Sequence, residues 1–481
     1  MTGKNGDWLR RSDYAPACQH GLRRRCLSPF LRPLLLLLTA AAAPLFAAEQ
    51  KNGDQQPPEQ KNWCIACHGE KDIWEGENLR YFVSEQDLAG DIHWQKGLRC
   101  QDCHGGHPEA EEKTPSHEDR RLIQSPADIP EFCGNCHADI EYMRRYRPSP
   151  RVDQLREYWT SGHGRALKTG DTKVATCVSC HDKPHGSGRE TAKHAVRRVD
   201  DLESSVYRTR LAETCAHCHA DEKLMAGYQY HDRPLGHDQY EKWQKSVHAE
   251  ALLKKGDLSA PTCNNCHGNH GAVPPQVDSV ANACGSCHGK VASLFAGTVM
   301  KHRFEEEKLP GCATCHHSHD IRTPTDQMLG MEGSAVCAEC HARGRHGATL
   351  AGAEDATTIR SGLDQLKKKI DEAKATLEEA ERLGMEVSGP RFDLREADDA
   401  LISARSLIHS FKVEPVEAAL AKGRQVAADV QKKADEALAQ HTYRRVWLAG
   451  SLVPILAVIV VLVLYIRTLP PPKESGAGSK E

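Results

Sequence analysis

A chain of 481 residues is long enough for two to four domains, yet only 5% of it is aromatic and 27% is charged, too polar for one large conventional core. A formal net charge of −3 leaves no basic footprint for nucleic acid. Of 20 cysteines only Cys18 and Cys26 lie outside one repeated pattern, so none remain for a disulfide framework in the mature part.

The chain opens with an arginine-rich stretch (Arg10, Arg11, Arg23, Arg24, Arg25, Arg32) and an apolar run, Leu34 to Ala43, that ends in small residues at Ala47 and Ala48. A charged segment, an apolar segment and a small-residue end predict a secretory signal peptide over residues 1–48. The apolar run is too short and too soon broken for a comfortable membrane span.

Residues 49–346 carry Cys-x-x-Cys-His nine times. The cysteines are Cys64 and Cys67, Cys100 and Cys103, Cys133 and Cys136, Cys177 and Cys180, Cys215 and Cys218, Cys263 and Cys266, Cys284 and Cys287, Cys312 and Cys315, and Cys337 and Cys340. The histidines that close the motifs are His68, His104, His137, His181, His219, His267, His288, His316 and His341. Two thiols at this spacing reach the two vinyl groups of one porphyrin, and the next histidine then lies under the iron. Zinc sites also use CxxC, but they take such pairs two at a time, and zinc does not explain a histidine after every second cysteine. The reading is nine covalently attached c-type haems, iron protoporphyrins that supply the missing core.

The motifs recur in pairs. Cys133–His185 and Cys215–His270 both run CxxCHAD, a Met, a Trp, Ser-x-His, Ala-Leu, Gly-Asp, then CxxCH and a further His, an internal duplication. Cys64–His107 and Cys284–His319 are degenerate copies, so the region reads as four two-haem modules plus a ninth haem. Each module supplies two candidates for the iron's sixth position. One lies upstream of the second motif: His93, His163, His248, His302. The other follows that motif: His107, His185, His270, His319. His346, after the ninth motif, is a further candidate. His117, His194, His217, His231, His237 and His317 are left spare, and Met143 and Met225 read as packing residues.

This pattern resembles the multihaem cytochromes c with paired CxxCH motifs, the superfamily of NapC-type quinol dehydrogenases, pentahaem nitrite reductase and octahaem hydroxylamine oxidoreductase. The resemblance covers about Cys64 to His346 and implies low-potential haems, each held between two histidines, stacked for electron transfer. Two departures matter. The nitrite reductases place a CxxCK haem at the catalytic centre, whereas all nine motifs here end in His. The NapC type is anchored at its N-terminus, whereas the apolar span here is C-terminal.

Residues 347–445 change character. Leu363, Leu366, Ile370, Ala373, Leu377 and Ala380 step by three and four, predicting one helix. Ser388-Gly389-Pro390 is read as its stop, a second helix follows to Phe411 and closes at Glu414-Pro415, and a third runs from Val416 towards Ala439. His409, among apolar residues, is read as structural. Val446 to Ile466 is 21 residues without a charge, about 30 Å as a helix, enough for one membrane crossing. Residues 467–481 form a short tail.

The fold expected is mainly α with much irregular structure: a haem-cored multihaem cytochrome domain, a helical hairpin or coiled-coil stalk and one C-terminal transmembrane helix. The function expected is a membrane-anchored periplasmic electron carrier of a respiratory chain, between a quinol-linked membrane donor and a periplasmic or outer-membrane acceptor. Its partners would be other redox proteins or quinol-oxidising membrane subunits, and the stalk is a possible surface for self-association. The alternative is a reductase of nitrite, hydroxylamine or a similar small nitrogen compound at one open haem.

Overall fold

The computed structural model describes residues 62–182, 194–230, 233–271 and 280–470. The expected signal peptide, Cys18, Cys26, His185, His231 and most of the short tail lie outside the described residues. The chain is mainly helical. Its one sheet among the described residues is a two-residue hairpin that pairs Gln229 with Pro234 and Tyr230 with Arg233.

From residue 62 to 347 the helices are short, and most motifs sit on one: Trp63–His68, Cys100–His104, Ile129–His137, Cys177–His181, Leu211–His219, Cys263–His267 and Val336–His341. Three of these turns are closed by the motif itself. The third motif residue accepts from the backbone N–H just before the first cysteine: Arg99 to Asp102 at 2.6 Å, Thr176 to Ser179 at 3.0 Å, Thr262 to Asn265 at 3.0 Å. A turn of helix puts residues i and i+3 on one face, so each motif presents both thiols to the same side.

Between motifs a second local unit repeats. It supplies the helices α1 (Ile92–Gln95), α2 (Gly162–Lys168), α3 (Val247–Ala249, continued by a π turn, Glu250–Lys254) and α4 (Val299–Glu306). Their caps are Asp91, Ser161, Ser246 and Thr298, all buried, and each cap side chain accepts from a backbone N–H of the first turn. Three residues before each cap stands a buried apolar side chain: Leu88, Tyr158, Trp243 and Phe295.

The stalk is three long helices, α5 (Leu350–Arg382), α6 (Ser388–Leu407) and α7 (Val413–Thr468). The break after α5 is Leu383–Val387, with Gly384 at φ +78°. Ser388-Gly389-Pro390 therefore begins α6 rather than ending α5. Pro415 likewise falls in the first turn of α7, where its missing N–H has no helical partner to lose. Arg391 meets Glu381 and Lys433 meets Asp393, so α6 runs antiparallel to its neighbours. Gln431 bonds Thr376, and a Cβ on Gly362 would lie 2.7 Å from Leu420, so α5 and α7 run parallel.

The predicted stripe of α5 is buried against Leu394, Ala397, Leu401 and Ala404 of α6 and Val416, Leu420, Ala427, Val430 and Ala434 of α7. Gly423 allows the closest approach: a Cβ there would stand 2.8 Å from Leu366 and 3.0 Å from Ala400. The third stalk helix and the apolar span are one helix of 56 residues. Its last part is long and apolar enough to cross a membrane, with a mean hydropathy of 2.7 over its most apolar window and none of that window buried.

Candidate haem sites

Eight of the nine motif histidines face a second imidazole. The pairs are His68 with His117 at 6.2 Å between ring centres, His104 with His194 at 5.9 Å, and His137 with His93 at 5.9 Å. They continue with His181 and His270 at 6.1 Å, His219 and His163 at 6.0 Å, and His267 and His319 at 6.1 Å. The last are His288 with His248 at 6.4 Å and His316 with His409 at 6.2 Å. Every pair joins one motif histidine to one that is not.

The spacing is nearly constant, from 5.9 to 6.4 Å, while the angle between ring planes runs from 6° to 80°. Rings that merely pack on each other vary in both. A shared central atom fixes the distance and leaves the angle free. A metal–imidazole bond of about 2 Å on each side, with each nitrogen about 1 Å from its ring centre, sets two trans rings roughly 6 Å apart. The donor set therefore fits an iron held between two histidines.

Second contacts aim the rings. The Nδ1 of His68 bonds the Tyr81 carbonyl at 2.8 Å, that of His117 the Lys113 carbonyl at 2.7 Å, and that of His409 the Ser406 carbonyl at 3.1 Å. His93 Nδ1 lies 3.1 Å from the Asp91 carboxylate. With Nδ1 engaged, Nε2 is left for the metal. Burial holds the half-buried His104, His181 and His270 below the ordinary imidazole value, His181 at about 4. They stay neutral, as metal ligands must.

The eighteen motif thiols are free of disulfides. Those of successive motifs meet in a regular order. First cysteines neighbour each other within modules: Cys64 and Cys100, Cys133 and Cys177, Cys215 and Cys263, Cys284 and Cys312. Second cysteines feel one another between modules: Cys103 and Cys136, Cys180 and Cys218, Cys266 and Cys287, with Cys315 beside both Cys337 and Cys340. Each motif thus neighbours the one before and the one after.

Of the distal positions expected from sequence, His93, His163, His248, His270 and His319 lie opposite motif histidines. Three others are placed differently. His107 turns to Glu109 and Asp119, at 3.4 and 3.9 Å; His302, 73% exposed, turns to Glu305; His346 lies 3.4 Å from Glu307. His185 lies outside the described residues. In their stead stand His117 and His194, read as spare, and His409, read as structural. The ninth motif histidine, His341, bonds the Thr349 carbonyl through Nδ1 at 2.9 Å, and Gly352 of α5 packs directly on its ring. No second imidazole is seen against it among the described residues.

No solved structure matches the chain. Residues 254–342 match the family model of cytochrome c3. The match takes in motifs six to nine, from Cys263 to His341, and a cytochrome c3 holds its haem covalently, through the chemistry these motifs offer. That match, over less than a fifth of the chain, and these paired histidines support a multihaem electron-transfer cytochrome.

Proposed function

We propose that all nine motifs bind haem and that the chain is an exported electron conductor tethered by α7 to the outer face of a cytoplasmic membrane. The observation that carries this reading is the set of eight imidazole pairs at one spacing. When bound, the cofactors supply one-electron chemistry. At eight of the nine motifs the paired histidines would hold an iron from both sides, so neither redox state would gain or lose a ligand there. The protein also holds consecutive motifs thiol to thiol, so the cofactor positions follow sequence order from Cys64 to His341. The polypeptide between motifs is too short for a core of its own and serves as a sleeve.

The pairing also interlocks the modules. His93, His163 and His248 each reach the first motif of the next module. His194, His270 and His319 each reach back to the second motif of the module before. Apart from His117, which faces the first motif of its own module, every such histidine comes from another module or from the stalk, which favours one cooperative unit over a string of separable beads. A redox partner on the outer side and a quinol-linked donor at the membrane are the partners this reading implies.

The test is haem content. Purified mature protein should carry about nine covalent haems per chain, staying coloured through denaturing electrophoresis and chelation, with an oxidised paramagnetic resonance spectrum dominated by low-spin iron. Colourless protein, or protein that yields zinc, refutes the reading. A second reading, reduction of a small nitrogen compound at an open iron, is favoured only by there being no imidazole opposite His341 among the described residues. It requires a high-spin signal that shifts with nitrite or hydroxylamine.

A further inference from the structure

We infer that Met300 is the sixth ligand at the ninth motif, giving this chain one histidine–methionine haem among its bis-histidine ones. The inference rests on the haem reading above and on the register of α1 to α4.

In three modules the distal histidine stands two residues after the helix cap: His93 after Asp91, His163 after Ser161, His248 after Ser246. Each faces the motif histidine of the next module: His137, His219 and His288. The fourth helix repeats the same frame. Thr298 Oγ1 accepts from the Lys301 N–H at 3.1 Å, as Ser161 Oγ does from Gly164 at 2.9 Å and Ser246 Oγ from Ala249 at 3.1 Å. The cap N–H bonds the carbonyl three residues back in every copy: Leu88, Tyr158, Trp243, Phe295. Six residues after the cap, Leu167, Leu252 and Phe304 are buried alike. Two residues after Thr298 is Met300, which is half-buried.

His302, the histidine upstream of motif eight, is two residues out of this frame. At 100° per residue it points about 200° away from Met300. It is 73% exposed and turned to Glu305. The next motif in the series is the ninth, and α4 lies against the segment that follows it. A Cβ on Gly347 would stand 3.5 Å from the Arg303 guanidinium, and His346 meets Glu307. In the second module the tail beyond α2 makes the corresponding contact, Tyr228 donating to Asp171 at 2.7 Å downstream of His219.

A thioether in place of an imidazole raises the potential of a haem. The last position of the series, nearest the stalk, becomes the most oxidising. The test uses full-length holoprotein and redox titration with paramagnetic resonance. Wild type should show one component well above the rest and a thioether-to-iron charge-transfer band in the oxidised spectrum. Met300→His should remove both while every haem stays low-spin. Met300→Ala should convert about one haem in nine to high spin, and His302→Ala should change nothing. A Met300→Ala protein with an unaltered spectrum and titration overturns the assignment, as does a high-spin signal produced by His302→Ala. Protein without covalent haem overturns the broader reading instead.

Discussion

His409 belongs to the stalk, yet it faces His316 of the eighth motif, and this makes it the sharpest place to probe the pairing. Its ring lies 6.2 Å from His316 at an interplanar angle of 19°, and its Nδ1 is tied to the Ser406 carbonyl at 3.1 Å. His317, the nearest other imidazole in sequence, is turned to Asp320 at 3.9 Å and cannot take its place without rebuilding the turn. His409→Ala therefore opens one iron while leaving the bundle core of Leu363, Leu366, Leu377 and Leu420 untouched. About one haem in nine should become high-spin in the oxidised protein and bind carbon monoxide when reduced. Added imidazole should restore the low-spin signal. The decisive assay is paramagnetic resonance with quantified spins. If His409→Ala keeps every haem low-spin, the stalk supplies no ligand and the ring pairs are packing contacts.

Other outcomes follow from the same geometry. His194→Ala should open the second haem, whose motif histidine His104 lies 5.9 Å from it, whereas His185→Ala should leave the spin count unchanged; the reverse result would restore the register read from the repeats. Gly423→Val should destabilise the bundle by about 1–3 kcal/mol in thermal unfolding, because a Cβ there already meets Leu366 at 2.8 Å; a neutral result would mean that α5 and α7 can part freely. Asp326 receives a two-pronged contact from Arg405 at 2.7 and 2.9 Å, and this hydrogen bonding holds its carboxyl below the ordinary carboxylate value. A depressed folded value stabilises above the unfolded one, near 4, and that contribution fades as pH falls through the folded value. Asp326→Asn should cost about 1 kcal/mol at neutral pH and make unfolding less sensitive to acid below about pH 4; an unchanged acid profile would count against this docking contact.

Much of this was legible in the chain because it is written in short-range patterns. The nine motifs need only five residues each, and the α5 stripe needs only the helical period. Five distal histidines could be found because the modules repeat. His117, His194 and His409 could not, since they face motif histidines 49, 90 and 93 residues away and no copy of them recurs. His302 stands upstream of the second motif of its module, as His93, His163 and His248 do, but two residues past the position that the helix cap fixes. Pro390 and Pro415 were taken as terminators, although proline in a first turn is as much a beginning as an end. What sequence lacked throughout was three-dimensional reach, which ring A meets which ring B.

The bundle also sets a height. The haem region joins it at one end, through His316 with His409, Phe295 with Phe411, and Asp326 with Arg360 and Arg405. Between Val413 and the first residues of the apolar stretch, α7 climbs roughly 50 Å at 1.5 Å per residue. On the anchoring and haem binding proposed above, a carrier dissolved in lipid would not touch a redox centre held that far above the bilayer. Whatever loads or drains the stalk end would then have to rise from the membrane to that level or arrive from the aqueous side, so the mast would select its partners by stature before any surface chemistry is consulted.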